Sequence, residues 1–388
     1  MKITAIEIGK IAIPLKTPFI TALRRVDVAE DLVVKVHTDD GHTGYGNAPA
    51  TVVITGDSHE SVAAAIRYTI GPKLIGRDID DREDILDTIH QSMVHNTSAK
   101  AALDMAVHDL FGQRYGLPLY RFFGGRKTRI ASDLTISIND PAGMAADACQ
   151  AVALGYSHLK LKVGIDPAID FQRVAAIRQA VGPDITIRLD ANQGWKPKEA
   201  IRLIGRMEDA GLDIELVEQP VAAADFEGLK QVTDHVATDI MADESAFSAK
   251  DVFRLLAMRA CDLINIKLMK AGGLGPAAQI AAMADAAGVG CMMGCMLESK
   301  VGITAAAALS AGKAVITKND LDAADLMAAD PVRGGITYDK DHLVVPDAPG
   351  LGITAIEGWQ PTATSFRRSA QTCAVRSSAR APARSSGR

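Results

Sequence analysis

The fold prediction rests on residues 158–190, which read HLKLKVGIDPAIDFQRVAAIRQAVGPDITIRLD. The runs HLKLKV and ITIRLD predict two short β-strands, and the stretch between them predicts a helix. A charged residue stands at or near the end of each strand, Lys162 in the first and Asp190 in the second, 28 residues apart. Two strands joined by a helix over this span are typical of a parallel βα unit.

The same spacing continues on both sides of this unit. Eight successive strand-like runs end in a polar or small residue, and these residues are separated by 24 to 28 positions. They are Thr135, Lys162, Asp190, Glu218, Asp243, Lys267, Cys295 and Asp320. Eight equal units favour a closed barrel over an open doubly wound sheet, whose GxGxxG fingerprint does not follow the first strand. The sequence therefore predicts an α/β fold with a TIM-type (β/α)8 barrel over residues 126–329.

The flanking regions have different patterns. Residues 1–125 predict an α+β domain, because strand-like runs with a hairpin turn at Asp39-Asp40-Gly41 precede helical patterns. Residues 330–361 return to strand and turn residues, and we expect them to pack on the N-terminal domain. Residues 362–388 are rich in Ser, Arg and Ala without apolar periodicity, which predicts a disordered tail.

Charge and composition exclude several classes of protein. The chain of 388 residues has a formal net charge of -5, but the last 31 residues carry six arginines and no acid, so the preceding part is near -11. A nucleic-acid-binding surface is therefore not expected. No apolar run is long enough for a membrane-spanning helix. An odd number of cysteines, five, is not typical of a secreted disulfide framework, and we expect a cytoplasmic protein.

Three successive predicted strands end in carboxylates, Asp190, Glu218 and Asp243. In a barrel, strand ends meet at one mouth, and three converging negative charges require a cation. A ligand set of oxygens without histidine favours Mg²⁺, with Mn²⁺ as a possible substitute. The alternative is that each acid only caps the helix or turn that follows it.

Lysines flank the three acids. Lys160 and Lys162 are two residues apart and share one face of their strand, while Lys267 ends a strand on the other side of the carboxylates. Such lysines can instead protect an edge strand, but here the intervening apolar residues are expected to face the helices. Repulsion of about 2 kcal/mol between neighbouring ammonium groups lowers a lysine pKa enough for base catalysis. Lys162 and Lys267 on opposite faces of a metal-held substrate predict a 1,1-proton transfer.

The combination KLKVG, RLDANQGW, ELVEQP, MADES and INIKLMKAGG resembles the enolase superfamily in its muconate-lactonizing subgroup. The resemblance covers residues 1 to 358. It implies an isomerase with an α+β capping domain over a modified (β/α)7β barrel, an essential Mg²⁺ and a homo-oligomeric assembly. It also implies that Lys162 and Lys267 are the acid/base pair and that Asp190, Glu218 and Asp243 hold the metal.

Other residues indicate the substrate. Asp320 and Asp322 are similar to the DxD pair that receives the α-ammonium in dipeptide epimerases, although a solvated turn is the alternative. Arg24 matches the position expected to pair with a glutamate side chain, with Arg25 as the alternative. Lys160, Thr135, Cys295 and Leu297 correspond to further substrate contacts, and residues 54–56 are expected to close over the side chain. The resemblance thus implies epimerisation at the α-carbon of the C-terminal residue of L-Ala-D/L-Glu, a dipeptide of cell walls.

Two residues depart from the family pattern, and other functions remain open. Asn47 stands where the family usually has Glu, which puts loop positioning in doubt, and Cys295 stands where Ser is common. The same machinery could serve other dipeptides, N-acylamino-acid racemisation, o-succinylbenzoate synthesis or muconate cycloisomerisation. A third possibility is a catalytically inactive barrel that binds a ligand.

Overall fold

The computed structural model describes residues 1–362 and 366–367. It contains an N-terminal α+β domain and an eight-stranded parallel sheet curved into a barrel. Within these residues, no helix has the length and apolar character needed to cross a membrane.

The N-terminal domain begins with an antiparallel sheet. Its strands are β1 (Ile3–Ile20), β2 (Arg25–Thr38) and β3 (Thr43–Pro49). The predicted hairpin turn at Asp39-Asp40-Gly41 joins β2 to β3, and Gly41 has a φ of 88°, a left-handed conformation that glycine adopts without strain. The hairpin prediction is confirmed.

Helices follow the sheet and pack on one of its faces. They are α1 (His59–Ala64), which continues through a π-helical turn at Ala65–Ile70, α2 (Gly71–Leu74), α3 (Arg82–Gln91) after a 3₁₀ turn at Ile79–Asp81, α4 (Thr97–Arg114) and α5 (Leu119–Phe122). Helix α4 is buried almost all round. A Cβ at Gly46 of β3 would lie 1.9 Å from the carbonyl oxygen of Ala102, so glycine allows α4 to approach the sheet closely.

The barrel alternates strands and helices as predicted. After a short strand β4 (Arg129–Ala131), the elements are β5 (Leu134–Ile136), α6 (Pro141–Ala153), β6 (His158–Lys162), α7 (Pro167–Val181), β7 (Thr186–Asp190), α8 (Pro197–Asp209), β8 (Ile214–Glu218), α9 (Phe226–Thr233), β9 (Asp239–Ala242), α10 (Ala249–Met258), β10 (Leu263–Lys267), α11 (Leu268–Ala271), α12 (Leu274–Ala287), β11 (Gly290–Gly294), α13 (Lys300–Gly312) and β12 (Ile316–Asp320). The first and last strands meet where Asp133 donates its N–H to the carbonyl oxygen of Asn319 at 3.1 Å. Seven helical crossovers join the eight strands, so the (β/α)7β barrel is confirmed.

The segment after the barrel divides between the two domains. Strands β13 (Val332–Gly334) and β16 (Ile353–Ile356) pair with each other, and β14 (Thr337–Asp339) and β15 (His342–Val344) extend β4 beside the barrel. Among the strands within residues 330–361, β17 (Gln360–Pro361) joins the N-terminal sheet, at the edge of β1. The predicted return of residues 330–361 to the N-terminal domain is therefore partial, because β15 finds an open partner strand in β4.

The predicted tail starts with paired backbone. Thr362 donates its N–H to the carbonyl oxygen of Ile8, and β18 (Phe366–Arg367) pairs with β1. These residues differ from a disordered chain because the free edge of β1 offers unpaired backbone groups. The rest of the predicted tail, residues 363–365 and 368–388, lies outside the described residues.

Two buried carboxylates of the N-terminal domain meet the first turns of barrel helices. Asp104 of α4 accepts hydrogen bonds from the backbone N–H of Leu274 (2.6 Å), at the start of α12, and Asp31 of β2 accepts from that of Ser299 (2.9 Å), just before α13. Helix N-termini stabilise negative charge. These two contacts place the N-terminal domain over the barrel at two neighbouring helices.

Asp104 has further partners that keep it charged. His90 and His108 lie 3.0 and 3.1 Å from its carboxylate oxygens. Burial raises the pKa of Asp104, but the two imidazoles lower it by a larger amount. The carboxyl pKa therefore lies well below its ordinary value.

We expect Asp104→Asn to lower the free energy of unfolding by about 3 kcal/mol, because it removes a buried charge from two imidazoles and a helix N-terminus. Urea unfolding at pH 7 measures the change. The control is Asp87→Asn, an exposed carboxylate on α3. Equal midpoints for Asp104→Asn and the control would show that this contact does not hold the domains together.

Candidate active site

The predicted lysines lie on opposite sides of the barrel mouth. Lys160 and Lys162 are on β6, and Lys267 ends β10. These strands are four apart in a sheet of eight, with β7, β8 and β9 between them, so the two strand ends are opposite each other. Leu159 and Leu161 pack in the apolar core shared with the helices, which turns the alternating lysines inward as expected.

The three predicted carboxylates end the strands between the lysines, and all are fully buried. Lys162 donates to Asp190 Oδ2 at 2.6 Å, and Lys267 donates to Asp243 Oδ2 at 2.8 Å. Lys160 Nζ lies 3.2 Å from Asp190 Oδ2 and 2.6 Å from Glu218 Oε2. Each acid is thus compensated by at least one ammonium group, as buried charges require.

The lysine pKa values differ from the sequence-based expectation of mutual repulsion. Burial lowers the pKa of Lys160, but Asp320, Glu218 and Asp190 raise it more, so it lies well above its ordinary value. Burial also lowers the pKa of Lys267, while Asp243 and Glu218 raise it to a net value above the ordinary one. The expectation considered only lysine neighbours, whereas the fold places more acids than lysines around each ammonium.

The pKa values of the three acids are shifted in different directions. Burial raises the pKa of Asp190, but Lys162 and Lys160 lower it more, and its net pKa is below the ordinary value. Asp243 is likewise lowered, by Lys267 and Lys270. Burial and the nearby Asp190 raise the pKa of Glu218 to about 7. The protonation of the three acids is therefore uneven.

The three acids fit Mg²⁺ by their chemistry. They offer only carboxylate oxygens, which hard cations prefer, and two buried oxygens, Glu218 Oε2 and Asp243 Oδ1, lack a hydrogen-bond donor. Lys160 Nζ is close to the first of these oxygens but is not in hydrogen-bonding geometry. In the part of the chain that the structure describes, no three His, Cys, Asp or Glu side chains already converge on one metal position. A cation bound here would share Glu218 Oε2 with Lys160.

Several side chains that support this site were not predicted from the sequence. Asn265 of β10 donates to Glu218 Oε1 at 2.7 Å. Gln219 accepts from the backbone N–H of Asp243 at 2.9 Å. Asn192 donates to Glu244 at 3.2 Å, and burial and Asp243 raise the pKa of Glu244 to about 8. These residues stand inside the quoted motifs, and a polar residue within or just after a buried strand was the available signal.

Lys270 is the most informative of these missed residues. It is fully buried after β10 and donates to the carbonyl oxygens of Asp243 (2.5 Å) and Asn265 (2.9 Å). Its Nζ also lies 2.5 Å from Asp243 Oδ1, outside hydrogen-bonding geometry. Asp243 therefore lies between two ammonium groups, Lys267 on one side and Lys270 on the other.

A cavity above the carboxylates collects most of the predicted substrate residues. Its walls are Phe19, Thr21, Leu23, Arg24, Val53, Ile54, Thr135, Lys162, Asn192, Asp243, Lys267, Cys295, Met296, Leu297, Asp320, Asp322 and Ala323. The loops before β2 and after β3 supply residues 21–24 and 53–54, so the cavity is closed by both domains. Of the predicted residues, Lys160, Asp190, Glu218, Thr55 and Gly56 do not line it.

The structure distinguishes the two candidate arginines. Arg24 lines the cavity, and among the described residues no carboxylate forms an ion pair with it. Burial lowers the pKa of its guanidinium. Arg25 instead is exposed and pairs with Asp27 at 2.9 Å. Arg24 is therefore the cation available to an anionic ligand in the cavity.

Another part of the cavity wall is acidic. Asp320 accepts a hydrogen bond from Lys160 at 2.7 Å, and Asp322 accepts from the backbone N–H of Thr135 at 2.7 Å. Burial and Asp320 raise the pKa of Asp322 to about 7. Burial and Asp320 also raise the pKa of the Cys295 thiol well above its ordinary value, so this thiol is neutral. The cavity wall thus includes a cation from the N-terminal domain, Arg24, and two acids from the barrel, Asp320 and Asp322.

Family models cover most of the chain. Residues 3–124 match the N-terminal domain of mandelate racemase and muconate lactonizing enzyme, and residues 143–359 match the enolase C-terminal domain-like model. The two matches correspond to the N-terminal α+β domain and the barrel with its C-terminal segment.

Relatives are similar over nearly their whole length. The L-Ala-D/L-Glu epimerase of Clostridium acetobutylicum is 52% identical over 92% of this chain and 99% of its own. The substrate-liganded L-Ala-D/L-Glu epimerase of Bacillus subtilis superposes with a TM-score of 0.91 at 50% identity, covering 92% of this chain and 99% of its own. The dipeptide epimerase of Enterococcus faecalis, complexed with Mg and L-Leu-L-Tyr, gives a TM-score of 0.89 at 42% identity, covering 92% and 100%.

We expect Lys270→Met to weaken Mg²⁺ binding by about 10-fold or more, because a buried partner that orients a ligand carboxylate is lost. Isothermal titration calorimetry with MgCl₂ measures the affinity without substrate. The control is Lys250→Met, an exposed lysine on α10. Unchanged or tighter binding in Lys270→Met would mean that its charge opposes the ion more than its hydrogen bonds orient Asp243.

Proposed function

We propose that this chain, which belongs to the mandelate racemase/muconate lactonizing enzyme family of the enolase superfamily, interconverts L-Ala-D-Glu and L-Ala-L-Glu. It is a Mg²⁺-dependent dipeptide epimerase, an isomerase of amino acid derivatives. The support is identity of 52% and 51% with two L-Ala-D/L-Glu epimerases over more than nine tenths of the chain.

The observation that carries the reaction is the opposition of Lys162 and Lys267 across the cavity. For one epimer, the neutral amine of one lysine removes the α-proton, and the ammonium of the other donates a proton to the opposite face. For the other epimer the roles exchange. Asp190 and Asp243 hold the two amino groups at 2.6 and 2.8 Å, which orients both toward the centre of the mouth.

The charge that develops on the substrate carboxylate during this step needs stabilisation. Asp190, Glu218 and Asp243 would hold Mg²⁺, which supplies electrophilic stabilisation of the enediolate when bound. Lys160 contributes a fully buried positive charge beneath the same group. The neighbouring Asn265 and Lys270 keep Glu218 and Asp243 in place.

Substrate selection follows from the charged side chains that the two domains contribute to the cavity wall. Arg24 would bind the glutamate side-chain carboxylate, and a guanidinium suits a carboxylate because it can donate two parallel hydrogen bonds. Asp320 and Asp322 would receive the α-ammonium of the alanine. Thr135, Cys295 and Leu297 would contact the dipeptide between these charged groups, and Ile54 would cover its side chain.

The acidic pair argues against the other family reactions. Substrates of N-acylamino-acid racemisation, o-succinylbenzoate synthesis and muconate cycloisomerisation lack a free α-ammonium. Asp322, which forms no ion pair among the described residues, would therefore face them without a cationic partner. A ligand-binding barrel without catalysis would have no need for two opposed lysines. Dipeptides with other C-terminal residues are the closest alternative, and Arg24 separates them from L-Ala-Glu.

The biological setting is proposed on less direct grounds. The described cysteines are free thiols, which fits a reducing cytoplasm. L-Ala-D-Glu is a component of cell-wall peptides, so we propose a role in their metabolism. A homo-oligomeric assembly is proposed from the family resemblance.

Incubation in D₂O with Mg²⁺ tests the two-lysine mechanism. The wild type should incorporate deuterium at the α-carbon of the glutamate residue from either L-Ala-L-Glu or L-Ala-D-Glu. Lys162→Ala and Lys267→Ala should each abolish exchange from a different epimer, because each removes the base on one face. Proton NMR follows the exchange. The assignment would be contradicted if one lysine variant lost exchange from both epimers while the other variant kept both. Exchange from neither peptide by the wild type would refute the proposed substrate.

The paired arginines provide a matched test of specificity. Arg24→Met should raise KM for L-Ala-D-Glu by about 10-fold to 100-fold, because the substrate carboxylate loses its charged partner in a buried cavity. The same variant should leave KM for L-Ala-D-Leu unchanged or lower. Arg25→Met, whose arginine pairs with Asp27 at the surface, should change neither value. A similar loss in Arg25→Met would contradict the role given to Arg24.

A further inference from the structure

A second group of buried polar side chains lies outside the catalytic machinery, between the two domains. It consists of Asp31 of β2, Asn47 of β3, and Glu298 and Ser299 just before α13, and we name it the docking cluster. The Asn47 side-chain N–H₂ group donates to Asp31 Oδ2 at 2.7 Å and to Glu298 Oε2 at 3.3 Å. Asp31 also accepts from the backbone N–H of Ser299 at 2.9 Å. All four residues are buried.

The cluster has more acceptors than donors. Asp31 Oδ1 and Asn47 Oδ1 are buried and have no hydrogen-bond donor. Two carboxyl groups therefore share one amide, and full ionisation of both would leave two negative charges on that amide. One proton on an acid would supply the missing donor and remove one of the charges.

The fold leaves space for this arrangement at one position. Gly302 lies in the first turn of α13, and a Cβ there would be 1.8 Å from Glu298 Oε2 and 2.5 Å from Asn47 Oδ1. The glycine therefore allows the carboxyl group and the amide to meet against the helix.

The cluster is connected to the substrate cavity by the backbone. Glu298 Oε1 accepts from the backbone N–H of Met296 at 3.0 Å, and Cys295, Met296 and Leu297 form one wall of the cavity. The opposing wall residues Arg24 and Ile54 belong to the domain that contributes Asp31 and Asn47. The distance between the two walls thus depends on how this cluster is held.

We propose that Asp31, Asn47 and a protonated Glu298 position residues 295–297 against the N-terminal domain, so that ionisation of Glu298 loosens substrate binding at alkaline pH. The substrate part of this inference rests on the proposed epimerase function. Glu298 is a positioning residue here and takes no part in the proton transfer.

The charged neighbours support a proton on Glu298. Burial and the nearby Asp31 raise the pKa of Glu298 to about 8, while Lys267, at the end of β10, acts in the opposite direction. Burial also raises the pKa of Asp31, which Asn47 and Ser299 lower by hydrogen bonding and His59 of α1 by its charge. Asp31 is the better site for the negative charge, because it meets the start of α13.

The sign of the pH effect follows from this shift. A carboxyl group ionises near pH 4.3 in an unfolded chain and near pH 8 at this folded position. Its contribution to stability is full below about pH 4.3 and is lost as the pH rises toward 8. The cluster gains its second negative charge near pH 8, and substrate affinity should fall there.

An amide at position 47 has a specific consequence. Asn47 supplies two donors to two acids, whereas an acid at this position would supply none and add a third carboxyl group to the same volume. Asn47 thus suits a position between Asp31 and Glu298 because its side chain is a donor to both.

The test compares the wild type with Glu298→Gln, which is neutral at every pH. KM and kcat for L-Ala-D-Glu are measured from pH 6 to 9.5, and Tm is measured without substrate from pH 5 to 9.5. We expect the ratio of the wild-type KM to the KM of Glu298→Gln to rise by about 3-fold or more as the pH passes 8. The ratio of the two kcat values should stay constant. The Tm of Glu298→Gln minus that of the wild type should increase up to about pH 8 and then stay level.

Two further variants complete the experiment. Asn47→Asp should lower Tm by an amount that grows with pH, and Glu227→Gln, an exposed acid on α9, should follow the wild type in every measurement. Parallel Tm profiles for the wild type and Glu298→Gln would overturn the proposal even if the epimerase activity is present. Inactivity on L-Ala-D-Glu together with the expected Tm profiles would instead refute the proposed substrate and retain the docking cluster.

Discussion

The structure depends on the compensation of buried charge at the mouth of the barrel. Strands β7, β8 and β9 each end in a carboxylate, and β6 and β10 bring ammonium groups to both sides of them. All of these groups are buried, so each requires an oppositely charged partner within the fold. The strand register and the inward direction of the lysines bring these oppositely charged groups together.

The N-terminal domain is held by the same type of interaction at a different place. Asp104 and Asp31 are buried carboxylates that meet the N-termini of α12 and α13, the two helices that flank β11. The cavity wall after β11 therefore has a fixed position relative to the loops that carry Arg24 and Ile54. Substrate selection by two domains requires such a fixed relation, because a ligand that contacts both walls binds well only when they are the right distance apart.

Much of the fold and of the central site can be predicted from the sequence. The regular spacing of strand ends predicts the barrel, and the alternation of Lys160 and Lys162 with apolar residues predicts their direction. The choice between Arg24 and Arg25 cannot be made in this way, because both lie in an irregular loop and only packing directs one of them inward. Lys270, Asn265 and the contact of Asp104 with α12 depend on pairs of residues far apart in the sequence. The raised pKa of Lys267 cannot be predicted for the same reason, since burial lowers it and the acidic neighbours that raise it come from other strands.

The charge balance of the whole site favours a divalent cation. Four buried lysines, Lys160, Lys162, Lys267 and Lys270, share the mouth with six buried acids, Asp190, Glu218, Asp243, Glu244, Asp320 and Asp322. Full ionisation of these ten groups leaves a net charge of -2 in a region of low dielectric constant. The raised pKa values of Glu218, Glu244 and Asp322, at about 7, 8 and 7, are the response of the protein to this excess of negative charge. One Mg²⁺ would neutralise it, whereas a monovalent ion would leave one charge uncompensated.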